Sequence, residues 1–161
     1  MFVLVRALAF SAFFIGFVLV YGPMQVLSGA GVARPAASGP PQILGMIIAA
    51  VGWAVALWSI CTFAFVGRGT PAPFDPPRRL VIRGPYRFVR NPMYLGAGLA
   101  LAGTALYYES WPLLRYTGFF LLATYLFVVC YEERALRRTF GSQYEAYCGR
   151  VRRWLPRFQL T

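Results

Sequence analysis

The sequence contains no histidine and only five acidic residues among 161. Without histidine, the chain cannot form a serine or cysteine triad, a zinc motif with histidine ligands or a histidine proton relay. Charged residues make up 13% of the chain and hydrophobic residues 58%, whereas soluble proteins carry roughly 25% charged residues. These proportions exclude an intrinsically disordered chain and argue against a soluble enzyme. They indicate a membrane protein.

Cysteine is also scarce, with three residues at Cys61, Cys130 and Cys148. The count is odd and the spacings are wide, so that neither a disulfide framework nor a thiolate metal site is indicated. We expect these side chains to pack as small apolar groups, and we expect no metal ion as a cofactor.

Four stretches have little or no charge, at residues 7–27, 43–67, 92–108 and 113–131. A helix needs about 20 apolar residues to cross a bilayer core, and about 17 at the least. The third stretch is short and rich in glycine, which favours close packing inside a helical bundle. The link at residues 109–112 is too short for anything but a tight helical hairpin. The run after Arg6 could also be a signal peptide, but its length favours a membrane helix.

The pattern therefore predicts an all-α integral membrane protein of about four transmembrane helices. We expect one domain over residues 1–161. Residues 1–67 would supply two transmembrane helices, and residues 68–161 a cytoplasmic loop, a helical hairpin and a C-terminal tail with an amphipathic helix.

The basic residues are all arginine, and their distribution predicts the orientation of the chain. Fourteen of the sixteen arginines lie before the first stretch, between the second and third, or after the fourth. With four spans these regions share one side, and the positive-inside rule makes that side cytoplasmic, together with both termini. The same charge attracts anionic membrane lipids. No nucleic-acid partner is expected, because the chain has no recognition module of a soluble type.

The basic loop ends in a motif, Arg83-Gly-Pro-Tyr-Arg-Phe-Val-Arg-Asn-Pro-Met-Tyr-Leu-Gly96. Gly84-Pro85 and Asn91-Pro92 are turn signals, and Pro92 suits the first turn of a helix. The free N–H groups of that helix start favour an anionic ligand such as a carboxylate. The alternative is a loop that merely re-enters the membrane.

Two of the five acids, Glu132 and Glu133, are adjacent at the cytoplasmic end of the fourth stretch. Charge at a lipid boundary is expensive and often functional, although acids also favour helix N-termini for electrostatic reasons. Behind the pair, apolar residues recur at helical spacing and predict an amphipathic helix on the membrane surface. These residues are Leu136, Phe140, Tyr144, Tyr147 and Val151.

The loop motif and the tail, Glu132-Glu133-x-x-Leu136-x-x-x-Phe140-Gly141-x-x-Tyr144-x-x-Tyr147-x-x-Arg150-Val151-x-x-x-Leu155-Pro156, resemble the isoprenylcysteine carboxyl methyltransferases and the related phospholipid methyltransferases. The resemblance covers roughly residues 78–157. It implies a membrane-embedded enzyme that uses S-adenosylmethionine and acts on a lipidic or prenylated small molecule or peptide. The residues that it implies for cofactor binding are Gly84, Pro85, Tyr86, Asn91, Pro92, Tyr94, Gly96, Glu132, Glu133 and Leu155.

In this interpretation Glu132 or Glu133 accepts hydrogen bonds from the cofactor's ribose diol or ammonium group, and the helix start near Asn91 holds its carboxylate. Arg90 and Arg150, which match arginines of the family motif, are the predicted catalytic residues. A guanidinium can hold an acceptor's carboxylate or phosphate with two hydrogen bonds.

Asn91 stands where the carboxyl methyltransferases usually have histidine, and Asn-Pro-Met-Tyr is common in phospholipid methyltransferases. A carboxylate acceptor is already ionised and needs no base, whereas an amine must first lose a proton. Without histidine, carboxylate O-methylation is therefore favoured and phospholipid N-methylation is the alternative. A sterol reductase that uses NADPH shares part of the tail signature, and a non-catalytic membrane protein also remains possible. Gly96-x-Gly98 follows no strand, so on its own it indicates helix packing.

Overall fold

The computed structural model describes residues 13–36, 39–67 and 80–156. Within these ranges the chain is helical and contains no strand, which confirms the predicted all-α class. The helices are α1, Gly22–Gly29; α2, Pro40–Thr62; α3, Pro92–Tyr107; α4, Trp111–Phe127; α5, Glu133–Phe140; and α6, Ser142–Arg150. Three π-helical stretches adjoin them, Ile15–Tyr21 before α1, Phe63–Gly67 after α2 and Val128–Glu132 between α4 and α5.

In the described ranges two helical stretches are long and apolar enough to cross a membrane, Pro40–Val66 with 27 residues and Trp111–Phe140 with 30. The other two predicted spans correspond to shorter helices. Ile15–Gly29 is apolar but below the length of a span, and α3 has 16 residues. Residues 7–12 of the first predicted span, and residues 68–79 of the basic loop, lie outside the described part of the chain.

Helices α2 and α3 pack with their backbones in contact, as the glycines of the third stretch predicted. A Cβ atom on Gly45 would lie 2.6 Å from Tyr107 N, and one on Gly96 would lie 2.6 Å from Ala56 N. Such distances leave no room for any side chain, so glycine sets the separation of the two helices. As a result α3 is largely buried, including Ala97 and Leu101.

The predicted tight hairpin joins α3 to α4. The Ser110 hydroxyl accepts a hydrogen bond from Leu113 N at 3.3 Å and caps α4. Glu109 has a φ of 48°, and its carboxylate accepts a hydrogen bond from Gln42 Nε2 at 2.5 Å. The turn is thereby attached to the first turn of α2.

The tail differs from the predicted single amphipathic helix. Helix α4 continues without a break through the π-helical stretch into α5, and Gly141, with a φ of 47°, then ends α5 and starts α6. The apolar stripe packs largely against the protein, since Tyr144, Tyr147 and Val151 form a buried cluster with neighbours that include Leu80. The tail therefore folds back onto the loop that precedes α3.

Candidate functional site

The site loop, which we define as residues 80–91, lies against the C-terminal end of α2. Its 3₁₀ turn, Gly84–Arg87, buries Pro85 and Tyr86. Gly84 has a φ of 58°, and a Cβ there would lie 2.7 Å from Thr62 Oγ1. Glycine is therefore required at this position for both its backbone conformation and its space. The ring centroids of Tyr86 and Phe63 are 6.2 Å apart.

Three hydrogen bonds join the tail to the site loop. The Tyr147 hydroxyl donates to the carbonyl oxygen of Tyr86 at 2.5 Å. Arg90 N donates to Arg152 O at 2.9 Å, and Asn91 Nδ2 donates to Arg153 O at 3.3 Å. Burial raises the pKa of the Tyr147 hydroxyl above its ordinary value, so it stays protonated as a donor. The two motifs found in the sequence thus form one structural unit.

Glu133 is the centre of a buried ion-pair cluster. Its side chain is 4% exposed. Arg153 binds it with two hydrogen bonds, Nε to Oε1 at 2.7 Å and a terminal nitrogen to Oε2 at 2.9 Å. An Arg90 terminal nitrogen lies 3.2 Å from Oε1, and one of Arg137 lies 3.8 Å from Oε2. The carboxylate of Glu133 is therefore already neutralised within the protein.

Glu132 has different surroundings. Its Oε2 accepts a hydrogen bond from the Tyr94 hydroxyl at 3.2 Å. Among the residues that the structure describes, no arginine pairs with this carboxylate within 4.0 Å. Neighbouring positions on a helix point about 100° apart, and the π-helical stretch that ends at Glu132 shifts both acids relative to α4. Such π-helical insertions are frequent at functional sites.

Two side chains connect the start of α3 to the acids: Tyr94, in its first turn, donates to Glu132, and Arg90, two residues before the helix, pairs with Glu133. Asn91 is buried at the N-cap position and Pro92 occupies the first helical position, but the Asn91 side chain makes no cap hydrogen bond. Its Nδ2 donates to Arg153 O in the tail, and its Oδ1 accepts from none of the first N–H groups of α3. The first N–H groups of α3 are consequently left for another acceptor, and a helix start with free N–H groups favours an anion.

The remaining predicted residues lie in different places. Gly96 faces α2 at Ala56, Leu155 is 68% exposed, and Arg150 is exposed with its Nε bound to Ala146 O at 3.3 Å. Arg90 belongs to the Glu133 cluster and also donates to Cys148 Sγ. The structure thus brings Asn91, Pro92, Tyr94 and the two acids together, and leaves Arg150 at the surface.

Sequence reasoning missed Arg153. The tail contains four arginines between residues 150 and 157; the family resemblance selects Arg150, and the sequence gives no reason to select Arg153. Its role becomes visible only when the tail folds back. No group of three or more cysteine or acidic side chains suited to a metal ion occurs in the described ranges.

The sequence profile of the phospholipid methyltransferase family matches residues 41–143. The match includes α2 from its second residue, the site loop, the hairpin and both acids, and it ends at the second residue of α6. No curated protein matches the chain.

Proposed function

Because the chain belongs to the phospholipid methyltransferase family, we propose that it transfers a methyl group from S-adenosylmethionine to an acceptor embedded in the membrane. Family membership indicates a membrane methyltransferase. Our proposal adds the methyl donor, the acceptor, the residue roles and a four-helix topology with cytoplasmic termini.

Glu132 and the start of α3 suit the ammonium and carboxylate groups of the donor's methionine part. Glu132 has no cationic partner among the described residues and so can accept hydrogen bonds from an ammonium group or a ribose diol. The uncapped N–H groups of α3 can hold a carboxylate. When bound, S-adenosylmethionine supplies an electrophilic methyl group on a sulfonium cation. The proposal rests on this combination of an acid without a cationic partner among the described residues and an uncapped helix start.

Glu133 has a different role in this proposal from the one that the sequence alone suggested. Two arginines already hold its carboxylate through contacts of 3.2 Å or less. It would have to give up these contacts in a buried place before binding a ligand, which is unfavourable. We therefore assign cofactor binding to Glu132 and a supporting role to Glu133.

For the acceptor, we propose carboxylate O-methylation first. Methyl transfer is an in-line displacement, and positioning supplies much of its acceleration. A carboxylate is a nucleophile at neutral pH without loss of a proton, which suits a chain that has no histidine. Arg90 has a buried Nε without a partner in the described part of the chain. It offers a donor for an anionic acceptor, and Arg150 would supply a second from the surface.

Phospholipid N-methylation is the second candidate, and two observations favour it. The matching family is that of phospholipid methyltransferases, and Asn91-Pro92-Met93-Tyr94 follows the pattern common in those enzymes. In this case a carboxylate such as Glu132 would have to take a proton from the amine.

A labelling experiment separates these candidates. Purified protein is incubated with S-adenosylmethionine carrying a labelled methyl group and with a membrane extract. Label released as methanol by mild base indicates a methyl ester, and base-stable label in lipid indicates N-methylation. If no label is transferred, while NADPH supports reduction of a sterol double bond, the methyltransferase proposal is wrong.

A further inference from the structure

Arg153 connects two parts of the site that are far apart in sequence. Its guanidinium holds Glu133 with two hydrogen bonds, while its carbonyl oxygen accepts the Asn91 amide. The hydrogen bond with Glu133 raises the pKa of Arg153 above its ordinary value. One residue therefore contacts the start of α5 and the residue before α3. The adjacent Trp154 ring packs 6.4 Å from Tyr125 of α4.

The first consequence concerns Glu132. It is covalently next to Glu133 and lies at the end of the π-helical stretch. π-helical turns are rare and occur mostly as single-turn bulges inside α-helices. Because the bidentate pair with Arg153 fixes the orientation of Glu133, it also limits rotation of the helix at Glu132. The carboxylate of Glu132 is thereby kept beside Tyr94.

The second consequence concerns Asn91. Asparagine is among the best N-cap residues, because its side-chain oxygen accepts from the first N–H groups of a helix. Here the hydrogen bond from Nδ2 to Arg153 O fixes the orientation of the side chain, and Oδ1 makes no cap hydrogen bond. If the tail left the site loop, Asn91 could cap α3 itself. It would then compete with a ligand carboxylate for the same N–H groups.

We propose that Arg153 is a positioning residue for methyl transfer, which holds the tail on the site loop so that Glu132 and the uncapped start of α3 face one ligand. This inference rests on the proposed function. Arg153 acts through Glu133 and Asn91 and is not itself a ligand of the donor.

The test compares Arg153→Ala with Arg153→Lys and with Arg152→Ala as the matched control. Arg152 is the preceding residue, its side chain is exposed, and its backbone carbonyl is kept in the alanine variant. For each protein in detergent we would measure S-adenosylhomocysteine affinity by calorimetry, kcat and the KM for the donor, and the melting temperature. Hydrogen exchange of the Arg90 amide, which donates to Arg152 O, reports tail docking without any ligand.

For Arg153→Ala we expect faster exchange at Arg90, a weaker affinity and a lower kcat, with a loss of up to about a hundredfold, as is seen when reacting groups are misplaced. Lysine keeps the charge but not the two parallel hydrogen bonds, so Arg153→Lys should recover part of the loss. Arg152→Ala should behave as wild type. A second comparison uses Glu133→Gln and the double variant Glu133→Gln/Arg153→Ala. If Arg153 acts through Glu133, the double variant should lose less affinity than the sum of the losses in the two single variants.

Wild-type affinity and kcat in Arg153→Ala, or unchanged exchange at Arg90, would overturn the inference. Full additivity with Glu133→Gln would also overturn it, since Arg153 would then act independently of Glu133. If Arg153→Ala does not fold, the test uses Arg153→Lys instead. Wild-type kinetics in Arg153→Lys would then contradict the inference. If wild-type protein binds no S-adenosylhomocysteine although Arg153→Ala still speeds exchange at Arg90, the proposed function fails and the tail contact stands.

Discussion

The hydroxyl of Tyr147 joins α6 to the site loop through a buried hydrogen bond to Tyr86 O. Replacing Tyr147 by phenylalanine removes the donor and leaves that carbonyl without its partner, which costs about 1–3 kcal/mol. We expect a lower free energy of unfolding for Tyr147→Phe, measured by denaturation in detergent. Tyr21→Phe is the control because Tyr21 is 52% exposed. Equal stability of the two variants would show that the hydroxyl does not hold the tail.

Arg150 is the residue whose predicted role depends most on the acceptor. It is exposed on α6, which suits contact with an incoming anion more than a structural ion pair. If it holds the acceptor in a site closed to water, Arg150→Ala should reduce methyl transfer by roughly thirtyfold to several thousandfold, since loss of one member of a buried charged pair costs about 2–5 kcal/mol. Affinity for S-adenosylhomocysteine should not change. Arg138→Ala, at another exposed arginine, serves as the control. A parallel fall in affinity and activity would place Arg150 in the cofactor pocket.

The sequence identifies the acidic pair but not the division of roles within it. Glu132 and Glu133 are chemically the same, and what separates them is the position of Arg90 and Arg153 around Glu133 alone. That difference arises from a π-helical stretch and a folded-back tail. Neither feature can be detected from the hydrophobic periodicity, because the apolar residues continue across the π-helical residues without a break.

At the scale of helices, the contact between α2 and α3 depends on glycine. A Cβ on Gly45 would meet Tyr107 N at 2.6 Å, so Gly45→Ala must push the helices apart, and overpacking of this kind costs about 1–3 kcal/mol. The control is Gly118→Ala on α4, where no neighbouring atom lies within 4 Å of the new Cβ. That change should be neutral or stabilising by up to about 1 kcal/mol, because alanine is the better helix former. Thermal unfolding of both variants would check this, and equal stability would contradict the packing account.

The buried position of α3 could be predicted because small residues in an apolar segment have one main physical use, close helix contact. The hairpin could be predicted from the shortness of its link. The division of the tail into α5 and α6 could not, since the apolar stripe keeps its helical spacing across Gly141. Only the tertiary contacts of Tyr144 and Tyr147 show that α5 ends at Gly141.

For the whole molecule, the arginine distribution predicts that the site lies on the cytoplasmic side. Single cysteines at positions 36 and 142, in a background without the native cysteines, test this in intact cells or sealed vesicles. Both positions are exposed, one between α1 and α2 and the other at the start of α6. We expect a membrane-impermeant thiol reagent to label Ala36→Cys from outside and Ser142→Cys only after lysis. Labelling of both from the same side would contradict a four-span topology.

The most direct test of the site is calorimetric binding of S-adenosylhomocysteine to wild-type protein, Glu132→Gln and the control Glu145→Gln. Glu145 is a surface acid paired with Arg137 at 2.8 Å. A hydrogen bond to a charged group contributes about 1.5–3 kcal/mol, so Glu132→Gln should bind roughly ten- to a hundredfold more weakly at an unchanged melting temperature. Glu145→Gln should bind as wild type. Equal affinity of all three proteins, or no binding by wild type, would contradict the assignment of the cofactor site to Glu132 and the start of α3.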